Sequence, residues 1–301
     1  MSLIKLSEIS QDYSRIIAGV MRWGVWGVNY SSSQIQELIE GCIDMGVSTF
    51  DHADIYGDHS TEAGFGNAIF QSSVSRSDIQ LITKCGIKML SQARPQNKIK
   101  SYDTSKSYII AQVEESLKNL KTDYIDLLLI HRPGPLIRVD DIAEAFQQLD
   151  ADGKVLDFGV SNFTPSQYDL MKSRYPIVTN QVEVSVKNIE PFLDGTVDNA
   201  MKHKIAIQSW SPLGGAELFQ PQSKYEAVMK NSRLNAVCKD YNWSLSQMAL
   251  MFLLHHPAGI LPVLGTSKLD RIKEAASCLS MQITDEQWYE IWTACTGFAV
   301  P

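Results

Sequence analysis

The sequence has no apolar run long enough to cross a membrane and no excess of basic residues. Its apolar stretches fall well short of the roughly 18 residues that mark a membrane-spanning helix. Lys and Arg number 27 against 34 Asp and Glu, which gives a net charge of −7. A nucleic-acid partner is not expected, because its phosphates require a basic surface. The opening segment, MSLIKLSEIS, has no apolar core of the kind that secretory signals carry. We therefore expect neither a membrane nor a nucleic acid as partner.

Cysteine is scarce and shows no pairing pattern. The five cysteines include no CxxC pair, and their odd number does not suit a disulfide framework. Reduced thiols in a cytoplasm are the expected state. Glycine and proline, 18 and 11 of 301 residues, are present at ordinary levels, which excludes a disordered or collagen-like chain.

Short apolar and β-branched runs recur along the chain and predict eight strands, at residues 16–21, 47–51, 79–83, 124–130, 155–160, 177–184, 205–210 and 260–264. Segments with helical periodicity separate most of them, at 32–45, 105–120, 140–149, 165–172, 189–203, 225–241, 244–255, 268–279 and 285–293. Alternating strands and helices predict a parallel α/β sheet, and eight strands predict a closed (β/α)8 TIM barrel. No linker or charge run divides the chain, so we expect a single domain over residues 1–301, with residues 3–9 forming a small cap at the barrel bottom.

An open doubly wound sheet is the alternative architecture. Such a sheet carries a Gly-x-Gly-x-x-Gly turn after its first strand. Here the first strand leads into Gly19-Val-Met-Arg-Trp-Gly24, which does not match. The closed barrel is therefore favoured.

Polar side chains follow three neighbouring strands of the predicted barrel. Asp51 ends the second strand and Tyr56 follows it; Lys84 ends the third strand, and His131 follows the fourth. In such barrels the catalytic groups lie at the carboxyl ends of the strands. A lysine cation lowers the pKa of a neighbouring phenol, which starts near 10, and a paired aspartate holds that lysine charged. Together with an imidazole that orients a carbonyl, these groups suit proton delivery, and the hydride must come from a cofactor.

A second interpretation of the same region is a metal-dependent barrel hydrolase, with ligands drawn from Asp51, His52, Asp54, His59 and His131. Successive residues of a strand point to opposite faces, so Asp51 and His52 should not converge. We therefore expect no metal site.

The motifs around these residues resemble the aldo-keto reductases. FDHADIYG at 50–57 resembles the Asp-x4-Tyr signature of that family, and LITK at 81–84 matches its lysine strand. DYIDLLLIHRP at 123–133 matches its histidine segment, and the stretch from GKV at 153–155 to GVSNF at 159–163 matches its fifth-strand signature. The resemblance covers nearly the whole chain. The variants DHADIYG and the final GFAVP are similar to the bacterial YdhF-type branch.

This resemblance implies an enzyme that reduces aldehydes or ketones with NADPH, with NADH as the alternative cofactor. It implies that Tyr56 is the general acid, that Lys84 and Asp51 tune it, and that His131 orients the substrate carbonyl. The implied cofactor residues are Ser161, Asn162, Gln181 and Trp210 at the nicotinamide; Ser211, Leu213 and Gly214 at the pyrophosphate; and Gly265, Thr266, Ser267, Lys268, Arg271 and Glu274 at the adenosine end. The chain has Gly265-Thr266 where many members have a Lys-Ser pair, and Ala275 where they have Asn. Lys268 and Arg271 remain to hold a 2′-phosphate.

The loop after the first strand is rich in aromatic residues, and such loops carry specificity in a barrel. We expect Trp23, Trp26 and Tyr30 to form an aromatic wall of the substrate pocket, with packing under the barrel rim as the alternative. Arg132 either contacts a polar substrate or pairs with an acid such as Asp140. The polar segment 217–224 is expected to form a flap over the cofactor, and the protein is expected to be a monomer. A nucleotide-binding redox sensor with little turnover remains the alternative function.

Overall fold

In the computed structural model, residues 3–215, 218–219 and 225–300 are described. They contain twelve strands: β1 Leu3–Lys5, β2 Asp12–Ser14, β3 Ile17–Gly19, β4 Thr49–Asp51, β5 Gln80–Cys85, β6 Ile87–Lys88, β7 Ser101–Tyr102, β8 Ile125–Ile130, β9 Val155–Ser161, β10 Thr179–Glu183, β11 Ala206–Trp210 and β12 Leu261–Leu264. Of the segment 217–224, only Leu218 and Phe219 belong to this set, so the flap prediction falls outside the described residues.

Eight of these strands close into a parallel barrel. Taken in chain order, β3, β4, β5, β8, β9, β10, β11 and β12 each pair with the next strand, and β12 pairs back with β3. The (β/α)8 barrel that the sequence predicts is thereby confirmed, and the open sheet is excluded. All eight carboxyl ends open at one mouth, which places the candidate catalytic residues together.

Eleven α-helices accompany the strands: α1 Ser32–Asp44, α2 Tyr56–His59, α3 Thr61–Gln71, α4 Lys106–Leu120, α5 Val139–Ala151, α6 Pro165–Lys172, α7 Thr196–His203, α8 Tyr225–Tyr241, α9 Leu245–Leu254, α10 Leu269–Ser277 and α11 Asp285–Thr296, counted over the described ranges. Four of them, α1, α6, α9 and α11, begin with a reciprocal capping box in which a Ser or Thr side chain pairs with a Gln three residues later. None of the described helices is long and apolar enough to span a membrane.

Two helical segments differ from the sequence prediction. The predicted helix 189–203 is broken: a short 3-10 turn covers Glu190–Phe192, and α7 starts only after Gly195, whose φ of 85° lies in the left-handed region. Helix α3 is not among the predicted helices, because Gly64 and Gly66 interrupt its apolar pattern. Helix α3 nevertheless lies between β4 and β5, where the barrel requires a helix.

The first residues form a cap at one end of the barrel, as the sequence predicts. Strands β1 and β2 pair as an antiparallel hairpin, and Leu6 and Tyr13 are buried within it. The Tyr13 hydroxyl donates to Asp157 at 2.7 Å, and the amide of Ala206 donates to the carbonyl of Leu6 at 2.7 Å. This hairpin closes the end opposite the mouth.

The barrel interior changes from apolar to polar along its axis. An apolar layer above the hairpin is built from Ile17, Ile82, Leu127, Leu129, Val178, Ala206, Leu261 and Val263. Burying each of the Ile, Leu and Val side chains contributes roughly 1.5–3 kcal/mol. On two of these strands the next residue on the same face is polar: Lys84 lies two positions beyond Ile82, and Gln208 two beyond Ala206. The polar layer of the site thus rests on a rigid apolar floor.

Candidate active site

Asp51, Lys84 and Tyr56 meet at the mouth as the sequence predicts. The ammonium Nζ of Lys84 lies 2.7 Å from both Asp51 carboxylate oxygens, and it also donates to the backbone carbonyl of His52 at 2.8 Å. It lies 3.3 Å from the Tyr56 hydroxyl. The Lys84 side chain is 1% exposed and that of Asp51 4%, so this ion pair is held out of water. A cation is thus fixed beside the phenol oxygen.

The pKa values of the phenol and the ammonium both stand above their ordinary values. Burial raises the pKa of Tyr56, and the opposing effect of Lys84 does not cancel it. Burial opposes the charged form of Lys84, but Asp51 and Tyr56 outweigh it and leave the pKa of Lys84 raised. Lys84 does lower the pKa of Tyr56, as expected. Burial raises that pKa by more, so the expectation of a lowered phenol pKa is wrong. Tyr56 carries its proton at neutral pH.

His131 faces the same space from the end of β8. Its ring lies 6.1 Å from the Tyr56 ring, centroid to centroid, and nearly perpendicular to it at 82°. Burial, followed by the cations Lys84 and Arg132, lowers the pKa of His131 well below its ordinary value. The imidazole is therefore neutral and carries one N–H. A neutral imidazole beside a protonated phenol offers two donors to one oxygen atom.

The residues assigned to the nicotinamide adjoin these groups from β9, β10 and β11. Trp210 Nε1 donates to Asn162 Oδ1 at 3.0 Å, and Asn162 Nδ2 donates to Ser161 Oγ at 2.7 Å. Asn162 has a φ of 61°, in the left-handed region that Asn adopts more readily than most residues.

Gln181 binds the Asp51–Lys84 ion pair directly. Its Nε2 donates to Asp51 Oδ1 at 2.8 Å and to Gln208 Oε1 at 2.9 Å. Gln208 is fully buried and absent from the residues that the sequence suggested. The available signal was a polar residue on the interior face of an apolar strand, opposite Gln181 in the parallel register.

The turn after β11 has the backbone shape of an anion-binding loop. Ser211, Gly214 and Gly215 all have positive φ angles, of 49°, 64° and 63°. A side chain at Gly214 would overlap Lys187, so only glycine fits there. Leu213 is half-buried and packs against the two apolar clusters that lie between the barrel and its helices. The amide of Gly214 donates to the carbonyl of Ser211 at 2.8 Å and closes the turn.

The loop after β12 leads into the amino end of α10. Gly265 is open to solvent, and Thr266 Oγ1 accepts from the amide of Lys268 at 3.2 Å. Lys268 and Arg271 are exposed. Glu274 is occupied differently, because it accepts from Ser244 Oγ at 2.6 Å and so ties α10 to the start of α9. Of this predicted set, Lys268 and Arg271 are the side chains available to a phosphate at a helix amino end.

The predicted aromatic wall is wrong for one of its three members. Trp23 is 1% exposed and packs against Phe50 and Phe65, so it belongs to the core. Tyr30 is half-buried and its hydroxyl donates to the carbonyl of Ser267 at 3.1 Å, so its place in the wall stays a prediction. Trp26 is 38% exposed, and its ring lies 6.3 Å from that of Tyr56. It is the aromatic residue of this loop that remains beside the candidate acid.

Arg132 does not pair with Asp140, because that acid accepts from Arg174 Nε at 2.7 Å. The guanidinium carbon of Arg132 lies 5.7 Å from the centre of the Trp210 ring instead. This distance is within the range of a cation–π contact. Arg132 is thus held at the mouth, beside His131.

The side chains of the alternative metal set separate. Asp51 binds Lys84, whereas the His52 ring packs edge-on against Phe65 at 4.5 Å, on the side that faces α3. In the described parts of the chain, no cluster of His, Cys, Asp or Glu has the arrangement of a metal site. The geometry at the mouth therefore rests on the Asp51–Lys84 ion pair.

Residues 15–295 match the family model described as the aldo/keto reductase family. The chain is 44% identical to the uncharacterized oxidoreductase YcsN of Bacillus subtilis, with all of both chains covered. It is 39% identical to the oxidoreductase YdhF of Escherichia coli, and 37% identical to a 6-dehydroglucose reductase of Agrobacterium fabrum, each over 99% of both chains.

Proposed function

The chain belongs to the aldo/keto reductase family, and we propose that it reduces an aldehyde or ketone with NADPH, using Tyr56 as the general acid. The observation that carries this proposal is the buried contact of Lys84 Nζ with both Asp51 oxygens and with the Tyr56 hydroxyl. Proton delivery to a carbonyl oxygen requires a donor whose conjugate base is stabilised as it forms. A fixed ammonium 3.3 Å from the phenol oxygen provides that stabilisation.

The side chains at the mouth divide the reaction between them. His131, which is neutral, donates an N–H to the substrate oxygen and fixes the carbonyl beside Tyr56. The cofactor, when bound, supplies a hydride to the carbonyl carbon. Tyr56 transfers its proton to the same oxygen as negative charge develops there, which completes the alcohol. Lys84 then faces a phenolate, and Asp51 keeps Lys84 charged throughout.

The residues of the chain fit a nicotinamide dinucleotide. Trp210 presents a half-buried ring, the turn after β11 holds Gly214 and Gly215 at positive φ, and Lys268 and Arg271 are exposed cations at the amino end of α10. We propose that these two cations bind a 2′-phosphate and give NADPH the advantage over NADH. Arg suits this role because it pairs with phosphate and stacks on adenine.

The groups around the acid favour a carbonyl substrate that carries polar substituents. Trp26 supplies an apolar face beside Tyr56, and Arg132 supplies donors beside His131. The Agrobacterium relative is named for a sugar with an aldehyde group, 6-dehydroglucose. We propose that the substrate class includes sugar-like aldehydes as well as aromatic ones, and both belong in the first substrate panel.

The test compares the wild type with Tyr56→Phe. NADPH oxidation is followed by absorbance with aromatic, aliphatic and sugar aldehydes, and NADPH binding is measured separately by quenching of tryptophan fluorescence. We expect Tyr56→Phe to lower kcat by at least about 100-fold, the usual contribution of a general acid, while the Kd for NADPH changes by less than about twofold. NADH in place of NADPH tests the cofactor preference in the same assay.

Tight NADPH binding without turnover of any aldehyde by the wild type would instead favour the nucleotide-binding regulator. Equal turnover by Tyr56→Phe would remove Tyr56 from its assigned role. We further propose a monomer in the cytoplasm. All five cysteines are free and buried, which supports a location where thiols stay reduced.

A further inference from the structure

Two buried glutamines lie side by side in the barrel, beneath the mouth. Gln181 on β10 and Gln208 on β11 are opposite one another in the parallel register, and they are 2% and 0% exposed. Gln181 Nε2 donates to Asp51 Oδ1 at 2.8 Å and to Gln208 Oε1 at 2.9 Å. Both hydrogens of one amide nitrogen are therefore in use, on acceptors from two different strands.

The carboxylate of Asp51 decides which way each amide points. A carboxylate oxygen accepts and cannot donate, so the amide nitrogen of Gln181 must face it. That nitrogen then requires an acceptor on Gln208, which turns the Gln208 oxygen inward. The amide nitrogen of Gln208 is left buried without any partner. The orientations of both glutamine amides therefore follow from the negative charge of Asp51.

The same arrangement fixes the remaining atom of Gln181. With its nitrogen held from two sides, its Oε1 points away from both Asp51 and Gln208, and no described residue donates to it. Asn162 and Ser161, the neighbouring polar side chains, are already bonded to Trp210, to each other and to the Gln181 backbone. An acceptor is therefore presented in a direction that does not depend on the bound molecule.

We propose that Gln208 is a positioning residue, which locks the amide of Gln181 so that its oxygen accepts from the carboxamide N–H of the nicotinamide. The proposal rests on the function proposed above, since it assumes a nicotinamide cofactor. Without Gln208, Asp51 alone anchors the Gln181 amide, and a single hydrogen bond lets the amide rotate about its own axis.

The unpartnered nitrogen of Gln208 makes this role distinguishable from a structural one. A buried donor without a partner destabilises a fold, and an unbranched apolar side chain of similar size removes that cost. If Gln208 served packing alone, its replacement by Met would change neither dinucleotide selectivity nor stability for the worse. Gln208→Met removes this unpartnered donor and leaves one N–H of Gln181 without its acceptor, so we expect an unfolding temperature close to that of the wild type together with a loss of selectivity.

The experiment measures binding of two reduced dinucleotides to the full chain by quenching of tryptophan fluorescence. One is NADPH; the other is its 3-acetylpyridine analogue, in which a methyl group replaces the carboxamide NH2. We expect the wild type to bind NADPH about tenfold more tightly than the analogue, the value of one good hydrogen bond in a desolvated site. In Gln208→Met the ratio should fall to within about twofold, through weaker binding of NADPH and unchanged binding of the analogue.

One further variant completes the comparison. Ser209→Ala removes a neighbouring buried hydroxyl that donates to Val184 on the other face of β11, and should retain the preference for NADPH. A ratio that survives in Gln208→Met, a wild type that binds both dinucleotides equally, or loss of the ratio in Ser209→Ala as in Gln208→Met overturns the proposal. Failure of the wild type to bind NADPH at all counts against the proposed function instead.

Discussion

The phenol of Tyr56 keeps its proton across the range in which most enzymes work, since burial outweighs Lys84 in setting its pKa. Carbonyl reduction consumes the protonated form. With a pKa raised above 10, that form persists through neutral and mildly alkaline pH. We expect kcat for reduction to stay flat from about pH 6 to pH 9, and kcat for alcohol oxidation, which requires the phenolate, to rise over the same range.

The measurement is a pair of pH–rate profiles, taken in the two reaction directions with saturating cofactor. His131 should not contribute to the acidic side, because burial lowers its pKa well below the ordinary value and it is neutral throughout. A reduction rate that declines with an apparent pKa near 7 would contradict both assignments.

His52 should make the fold sensitive to acid. It is fully buried, neither ring nitrogen has a partner, and burial together with Lys84 lowers its pKa to about 3. The unfolded chain binds a proton near pH 6.5 and the folded chain does not until about pH 3, so protonation favours unfolding as the pH falls. The loss of stability from this one group is about 2 kcal/mol between pH 7 and pH 5.

We expect His52→Leu to be neutral or stabilising at pH 7 and to reduce the fall in Tm between pH 7 and pH 5. Thermal unfolding at the two pH values checks this. An equal fall in Tm for the variant and the wild type would show that the acid sensitivity lies elsewhere.

Among single residues, the sequence predicts those that lie at the ends of strands. It does not predict which residues of a loop are buried. Asp51, Lys84 and His131 lie at or next to strand ends, where the topology alone brings them together. Trp23 and Trp26 are three residues apart on one loop, yet one is core and the other faces Tyr56. Which of the two is buried depends on Phe50 and Phe65, and no local pattern encodes that.

The element that carries Tyr56 is a strained turn. Gly57, Asp58 and His59 follow it in the left-handed region, with φ angles of 59°, 56° and 67°. A Cβ at Gly57 would overlap Thr61 Oγ1. We expect Gly57→Ala to destabilise the fold by about 1–2 kcal/mol and to lower kcat at least tenfold, because the phenol is displaced from Lys84.

Gly64 on α3 provides the matched control. Its φ is not positive, and a Cβ there would meet Ile35 Cδ1 at an ordinary 3.7 Å. Gly64→Ala should stabilise the protein by about 0.5–1 kcal/mol and leave kcat unchanged. Thermal melts and steady-state rates on both variants suffice, and loss of activity in Gly64→Ala would contradict this account.

Helix starts are predicted to within one residue with or without a side-chain cap. This holds for α1, α6, α9 and α11, which begin with capping boxes, and for α4, α5 and α10, which have no side-chain cap. Helix α3 is missed because its two glycines interrupt its apolar periodicity. The break at Gly195 within 189–203 results from backbone conformation, which apolar periodicity does not report.

For the whole molecule we propose one cooperative domain over residues 1–301, acting as a monomer. Closure of β12 onto β3 makes the first and last barrel strands mutually dependent, although they are about 250 residues apart. We expect a single thermal transition, coincident in far-UV circular dichroism and tryptophan fluorescence, with a midpoint independent of protein concentration. Two separated transitions would contradict a single cooperative domain. A midpoint that rises with protein concentration would contradict a monomer.

All five cysteines are buried, so the surface of the molecule offers no native thiol to an alkylating reagent. Burial raises the pKa of Cys42 and Cys295 to about 12 and that of Cys238 and Cys278 to about 11, so few of these thiols exist as the thiolate that reacts with alkylating reagents. Leu136 is 86% exposed on the loop that follows His131. A maleimide dye on Leu136→Cys would therefore label one position without removal of any native cysteine, and its emission would report events at the mouth.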